Sequence, residues 1–453
     1  MRIAPAIQEY RECAFSLKAK AVAQNPFFKY PISMNAATIR TLFIVFLLLE
    51  TFYELFLTLL NLAHVKKHAG EVPSLFRGAI DEGTYRKAVS YTIDKNRFSL
   101  VTQVLSTAFV LFLIGSGLLG ALDRWVETTG WHLYAQGILF ILLLSLLVRI
   151  VSLPLSLYRQ FVLEQRYGFN RMTVKLFLSD LAKGLAVQVV LTTPLLLGLF
   201  WFMDEAGRYW WVWAFLFVTL FQLVVTVLYP LVIAPLFNKF TPLPEGSLRD
   251  KLLALADTLG FRTKGIFVMD GSKRSRHSNA YFTGLGKVKR IVLFDTLTQT
   301  LTEEETCAVL AHELGHEKQK HILKMFLISS VFLFAGFLIV DTLLLYQPLY
   351  EAFALHRPSY HGILTILTLC AGPFTFFLNP LINGLSRMFE YQADRFASQR
   401  AGLGRELASA LLTLGKENLS NLTPHPWYSF YYYSHPTLGE RVEALQKLYS
   451  KSE

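Results

Sequence analysis

Seven runs in this 453-residue sequence are each apolar and long enough to cross a hydrocarbon core, which takes about 20 helical residues. They lie near 41–63, 99–122, 134–157, 183–203, 209–230, 323–346 and 362–384. No other feature narrows the fold as far, because a segment inside lipid must satisfy its own backbone and helices do so locally. The expected fold class is an all-α multi-pass membrane protein. The fourth run is the least regular, since Pro194 interrupts it. Only Asp204 to Arg208 separate it from the fifth, so the two form a tight hairpin. Composition agrees: 53% of residues are apolar and 17% charged, against roughly 25% charged in an average soluble protein. That balance excludes a disordered chain, a collagen-like chain and a nucleic-acid-binding tail, so no nucleic-acid partner is expected.

The loops orient the bundle. With seven spans, the N-terminus and the loops at 123–133, 204–208 and 347–361 share one side, and Arg124, Arg208 and Arg357 are the only Lys or Arg in those loops. Loops 64–98, 158–182 and 231–322 and the C-terminal region share the other side and are rich in Lys and Arg. The positive-inside rule places that second side in the cytoplasm. The basic segment 1–40, with Arg2, Arg11, Lys18, Lys20, Lys29 and Arg40, runs against this assignment and is outvoted by the three loops. It also lacks the apolar block of a signal peptide. Cys13, Cys307 and Cys370 are too few and scattered for a disulfide framework or thiolate site, so all three are expected as free thiols, with Cys370 inside the membrane. Glu50, Glu54, Arg149 and Asp341 fall within spans. Such groups face the bundle interior or water, which fits either interhelical hydrogen bonds or a hydrated chamber.

One segment carries chemistry. Thr302 and Glu305 have the spacing of a capping box, so a helix starts there. It leads to His312-Glu313-Leu314-Gly315-His316. Residues four apart share a helix face, so both imidazoles can reach one ion, while Glu313 can approach a water held at that ion. The pattern suits a zinc hydrolase. Eleven His in the chain make chance occurrence with an intervening Glu roughly 0.02 or less. Catalytic zinc keeps three protein ligands, and Glu390, 74 residues beyond His316, is the candidate third. Asp394, one turn on, is expected to orient a ligand His. His321 lies nearly opposite His312 on a continuous helix and is left out. One zinc ion is the expected cofactor. Both ligand segments run into spans, so the chemistry sits at the cytoplasmic membrane face, where a lipid-tethered substrate would fit.

The chain thus divides into an N-terminal segment 1–40, membrane helices one to five over 41–230, a cytoplasmic catalytic insertion 231–322 with the zinc helix, membrane helices six and seven over 323–384, and a C-terminal catalytic region 385–453. The insertion holds β-like runs at Ile266–Met269, Ala280–Thr283 and Ile291–Phe294. Asn279 to Thr283 is a candidate edge for adding an extended peptide, although a plain ribbon packed on the zinc helix reads equally well. His277 and Asn279 either bind substrate or shape a turn. Lys273 and Arg274 read as solvated charges, and the aromatic run Tyr428 to Tyr433 as packing against the bundle.

The zinc helix and Glu390-Tyr-Gln-Ala-Asp394 resemble the type I CAAX prenyl endopeptidases, integral-membrane zinc proteases. So do Leu153–Tyr158 with Phe161–Asn170, Tyr229–Phe240, Gly271–Tyr281 and His435-Pro-Thr-Leu-Gly-Glu-Arg441, over roughly residues 40 to 450. The resemblance implies seven transmembrane helices forming a barrel around a large hydrated chamber, with a small cytoplasmic α+β insertion and the zinc site facing inwards. It implies removal of the last three residues of a C-terminal motif whose Cys carries an isoprenyl chain. In the family pattern the late His-Pro and Arg approach the zinc, so His435 is a candidate donor to an oxyanion or substrate, and Arg441 a candidate partner for a carboxylate in the site or at the substrate terminus. The implied partners are the C-terminal peptide of a lipidated protein, or another membrane-associated polypeptide, and membrane lipid. The implied location is a bacterial inner membrane or the endoplasmic reticulum. Two other readings stay open: a quality-control zinc protease for misfolded or stalled membrane chains, and a transporter or scaffold whose zinc is structural.

Overall fold

The computed structural model describes residues 34–261, 265–283 and 290–450. Cys13 and most of segment 1–40 lie outside them. In chain order the membrane part consists of α1 (Ala36–Lys67), α2 (Glu82–Gly115), the short α3 (Leu118–Glu127), α4 (Leu133–Tyr158), α5 (Val174–Glu205) and α6 (Trp210–Leu228). α4 continues through a π turn at Arg159–Leu163 to Arg166, and α6 through a second π turn at Tyr229–Ile233 to Phe237. Then come β1 (Phe240–Pro242), α7 (Ser247–Thr258), β2 (Ile266–Met269), β3 (Ala280–Thr283), β4 (Arg290–Phe294), α8 (Asp295–Thr300) and α9 (Glu303–Lys318). The chain re-enters the bundle as α10 (His321–Leu343), turns through α11 (Gln347–Ala352) and returns as α12 (Tyr360–Phe376) and α13 (Asn379–Gln399). It closes with α14 (Gly404–Glu417), α15 (Pro426–Tyr432) and α16 (Leu438–Tyr449).

Six helices among the described residues are long and apolar enough to cross a membrane, and α12 with α13 make a seventh if the pair, bent by 65°, counts as one span. The expected runs are all present, but their ends differ. The second stops at Gly115, because Gly117 turns left-handed (φ 72°) and starts α3 in a new direction. The seventh breaks after Phe376 and restarts at Asn379-Pro380, where proline at the first helical turn loses no backbone bond. Pro194 does not end α5, which runs for 32 residues.

Three of the end loops meet one another. Tyr134 and Tyr360 both donate to Asp204, at 2.8 and 2.7 Å, and Arg357 contacts Glu127, joining the loops at 123–133, 204–208 and 347–361. Arg40 donates to the carbonyls of Glu351 and Ala352, bringing the start of α1 to the same end. A core of Phe43, Phe140, Phe200, Met203, Tyr350 and Phe353 fills this end. Asp341 is buried there and accepts from Trp210 Nε1 at 2.7 Å. Arg149 instead lines a cavity of about 1050 Å³ with Asp180 and Gln188, and bonds Gln188 at 3.1 Å. Asp341 and Arg149 thus both bond to a neighbouring helix, Arg149 from the wall of a largely apolar cavity.

At the other end the sheet runs β1-β2-β4-β3, with β2 and β4 parallel and the outer pairs antiparallel. β3 pairs Ala280 with Leu293 and is an edge strand. Leu252, Ile291, Leu293, Leu297, Leu310 and Leu314 pack this sheet onto α7 and α9. Cys307 is a free thiol in that core, where burial pushes its pKa up to about 11, and Cys370 is free within α12. Arg274 is not a solvated charge: it holds Asp180 through two bonds at 2.8 and 2.9 Å and also reaches Asn238 and the Phe237 carbonyl, tying the insertion to α5 and the end of α6. Tyr431 packs on Phe376 and donates to its carbonyl, so the aromatic run does lie against the bundle.

Candidate metal centre

The capping box starts α9 as its sequence requires: Glu305 N donates to Thr302 Oγ1 and Thr302 N to Glu305 Oε2. Further along, α13 crosses α9 at very short range. Small residues permit this, with Ala308, Ala311, Ala393 and Ala397 all fully buried. At Gly315 a Cβ would stand 3.0 Å from Ala393 Cα and 3.2 Å from Ala393 O. The glycine inside the motif is therefore the close-approach point that brings Glu390 to the two histidines.

The three groups converge. His312 Nε2 and His316 Nε2 are 3.1 Å apart, His312 Nε2 is 3.4 Å from Glu390 Oε2, and His316 Nε2 is 3.3 Å from Glu390 Oε1. A tetrahedral ion with ligands at about 2.1 Å sets its ligands about 3.4 Å apart. The donor set fits zinc in two further ways. Glu390 Oε2 is buried without a hydrogen-bond partner. His312 Nδ1 lies 2.8 Å from Asp394 Oδ1, and donating there leaves the Nε2 lone pair for a cation. The pocket also favours positive charge: burial lowers the His312 pKa, but Asp394 and Glu390 outweigh it and hold it at about 9. Glu313 sits beside the pair, and burial raises its carboxyl pKa against the opposing pull of both imidazoles.

Arg441 is buried and occupied. Its Nε and Nη2 grip both oxygens of Asp394 at 2.9 and 2.6 Å, and Nη1 lies 3.4 Å from Glu390 Oε2. Of the two carboxylate partners expected for it, the structure supplies the one within the site. His435 stays exposed, with Nε2 3.3 Å from Glu390 Oε1. His277 stacks on Phe169 at 4.1 Å and contacts Asn418 and Glu164, beside a cavity of about 790 Å³ that Tyr91, Lys95 and Tyr433 also line. Asn279 Oδ1 accepts from Ala280 N, which is the turn-shaping alternative.

His321 is not among the three converging groups, but it lies against one of them rather than on the far side of a continuous helix. Lys320 adopts a left-handed conformation (φ 57°), which breaks the helix after α9 and swings His321 back, so that its Nδ1 is 2.9 Å from His316 Nδ1. Its Nε2 meets Gln392, and its ring stacks on Phe389 at 4.1 Å. Left-handed lysine is uncommon, so no local signal announced the break.

Two family profiles cover most of the chain: CAAX prenyl protease N-terminal, five membrane helices, over residues 61–239, and peptidase family M48 over residues 242–449. CAAX prenyl protease 1 of Saccharomyces cerevisiae is 37% identical over 409 residues, covering 84% of this chain and 90% of the relative. The chain belongs to peptidase family M48, among the CAAX prenyl proteases. The Homo sapiens homologue is 34% identical over 430 residues, covering 85% and 90%. The M48 fold is matched in the crystal structure of S. mikatae Ste24p, at 34% identity with a TM-score of 0.85, over 90% of this chain and 99% of that one. This M48 chain is therefore a multi-pass integral-membrane metalloprotease.

Proposed function

We propose that this chain is a zinc-dependent membrane endopeptidase that removes the last three residues of C-terminal CAAX sequences whose Cys is prenylated. The observation that carries this is the convergence of His312, His316 and Glu390, with Glu313 beside them, in a chain collinear with the CAAX prenyl proteases. His312, His316 and Glu390 hold one zinc ion, and when bound it supplies Lewis acidity toward the scissile carbonyl and a lowered pKa for water. Glu313 takes the proton of the attacking water and returns it to the leaving amine. His435 is exposed next to Glu390 and donates toward the developing oxyanion. Asp394 fixes the His312 ring, and Arg441 fixes Asp394 and Glu390, so both act as positioning residues. His321 does the same for His316. The outer edge of β3 is free among the described strands and receives the substrate as an added strand. His277 and Asn279 hold the turn that presents it.

The insertion 231–322 and region 385–453 form the catalytic part, with segment 1–40 and membrane blocks 41–230 and 323–384 around them. The hydrated interior is the substrate chamber, and the zinc side is cytoplasmic by the loop charges, in a bacterial inner membrane or the endoplasmic reticulum. The quality-control and transporter readings are not favoured by the relatives. Among the described residues no fourth ligand joins the three, as structural zinc would require. The test is cleavage by purified, detergent-solubilised protein of a farnesylated CAAX peptide and its unlipidated twin, with Glu313→Gln as control. Cleavage of the lipidated peptide alone is expected. Equal cleavage of both would move the function to general membrane proteolysis.

A further inference from the structure

At the end of the bundle away from α9, a second group of metal-ligating side chains has no part in this chemistry. Asp123 and Glu127 lie one turn apart on α3, and His356 lies in the loop between α11 and α12. One ligand atom from each falls within 4.8 Å of the others. α10 alone, at 23 residues, separates this end from the catalytic helix by about 34 Å at ~1.5 Å per residue.

The geometry is that of a built site. Asp123 is 1% exposed, and its Oδ1 faces His361 Nε2 at 2.8 Å. Its Oδ2 has no hydrogen-bond partner and is aimed at the group. His356 Nδ1 stands 3.5 Å from that oxygen, and His356 Nε2 3.5 Å from Glu127 Oε1. These spacings are too long for hydrogen bonds; they start from the two different nitrogens of one imidazole, of which one faces an ion, and one atom from each of the three residues then lies within 4.8 Å of the others. Arg357 contacts Glu127 Oε1, the same oxygen that faces His356 Nε2, so the guanidinium shares that carboxylate with the group. The backbone holds the parts in place: a Cβ on Gly120 would stand 2.2 Å from the Ala354 carbonyl, and Ala354 itself is left-handed (φ 61°). α3 is thus pressed onto the loop that carries His356. His356 is partly exposed, which gives an ion an entry path.

We propose that Asp123, Glu127 and His356 form a second divalent-cation site, with one imidazole and two carboxylates suited to zinc, that staples α3 to the loop before α12. His361 orients Asp123 in the way Asp394 orients His312. The rival is a plain ion-pair network in which protonated His356 bridges the two carboxylates.

Metal content separates the two. The full chain is purified in detergent, stripped with a chelator, reloaded with Zn²⁺, dialysed and measured by mass spectrometry. Two equivalents are expected in the unaltered chain and one in His356→Ala, which removes a partly exposed loop side chain and leaves peptide cleavage intact. His312→Ala is expected to keep one equivalent, and the His312→Ala/His356→Ala pair none. Zinc should also raise the Tm of His312→Ala, and this shift should vanish in the pair. One equivalent in the unaltered chain with none in His312→Ala would overturn the site. So would an unchanged count in His356→Ala.

Discussion

Gly315→Ala tests whether the approach of two helices sets the metal centre. Replacing a mid-helix glycine by alanine favours the helix by about 1 kcal/mol. Against this, the new methyl meets Ala393 Cα at 3.0 Å, Ala393 O at 3.2 Å and Phe396 Cβ at 3.2 Å. Two of these atoms are backbone and none is the free end of a flexible side chain, so α13 itself must retreat. Carbon contacts are comfortable from about 3.5 Å, which asks for a shift of about 0.5 Å. Overpacking of this kind costs about 1 to 3 kcal/mol, so the net loss of fold stability is only about 0 to 2 kcal/mol. Glu390 lies one turn from Ala393 and moves with it. Zinc ligands tolerate about 0.2 Å, so the metal centre is harmed more than the fold. The expectation is a folded protein with zinc affinity reduced about tenfold or more, which is about 1.4 kcal/mol, and cleavage reduced in parallel. A zinc titration against a chromogenic chelator, with thermal melts alongside, reads both. Zinc affinity and cleavage within twofold of the unaltered chain would refute the claim that this crossing fixes the ligand triangle.

Four further outcomes follow from the same geometry. Glu313→Gln should keep its zinc, because the ligands survive, and lose about 10²- to 10⁴-fold in kcat; retained turnover would remove Glu313 as the base. Glu390→Ala should lower bound zinc, and unchanged stoichiometry would take Glu390 off the ligand set. Asp394→Asn leaves His312 and Arg441 competing for one acceptor oxygen, so zinc affinity should fall about 10- to 100-fold, as metal competition can measure. For pH, Glu313 must be ionised to act, and burial raises its pKa above the ordinary 4.5. Its protonated fraction therefore appears at higher pH, and kcat/KM should fall on acidification with a midpoint above 4.5; a level profile down to that pH would contradict the assignment.

Much of the site was legible because it is periodic. A helix repeats every 3.6 residues, so His312 and His316 share a face whatever surrounds them. The capping box fixed where that helix begins, and the apolar runs marked each crossing. Glu390 was legible only through its pattern with Asp394, since nothing local joins it to a helix 74 residues earlier. The clue that did exist was the stripe Ala308, Ala311 and Gly315, which marks a face built for close contact.

Other features were decided by packing. Whether Arg441 meets substrate or Asp394 depends on where α16 docks, and the docked helix places it on Asp394 and Glu390. Arg274 looked like a solvated charge until the insertion folded against Asp180. His321 joined His316 because Lys320 pays a local conformational cost that the re-entry of α10 into the bundle imposes. The sequence by itself determined the apolar helical runs, the helix that carries His312 and His316 and the chemical type of the groups it presents, because these depend on side-chain polarity and on spacing along one element. The tertiary structure alone decided which charge meets which, since that depends on the distance between elements far apart in the chain, and no periodicity within an element encodes it.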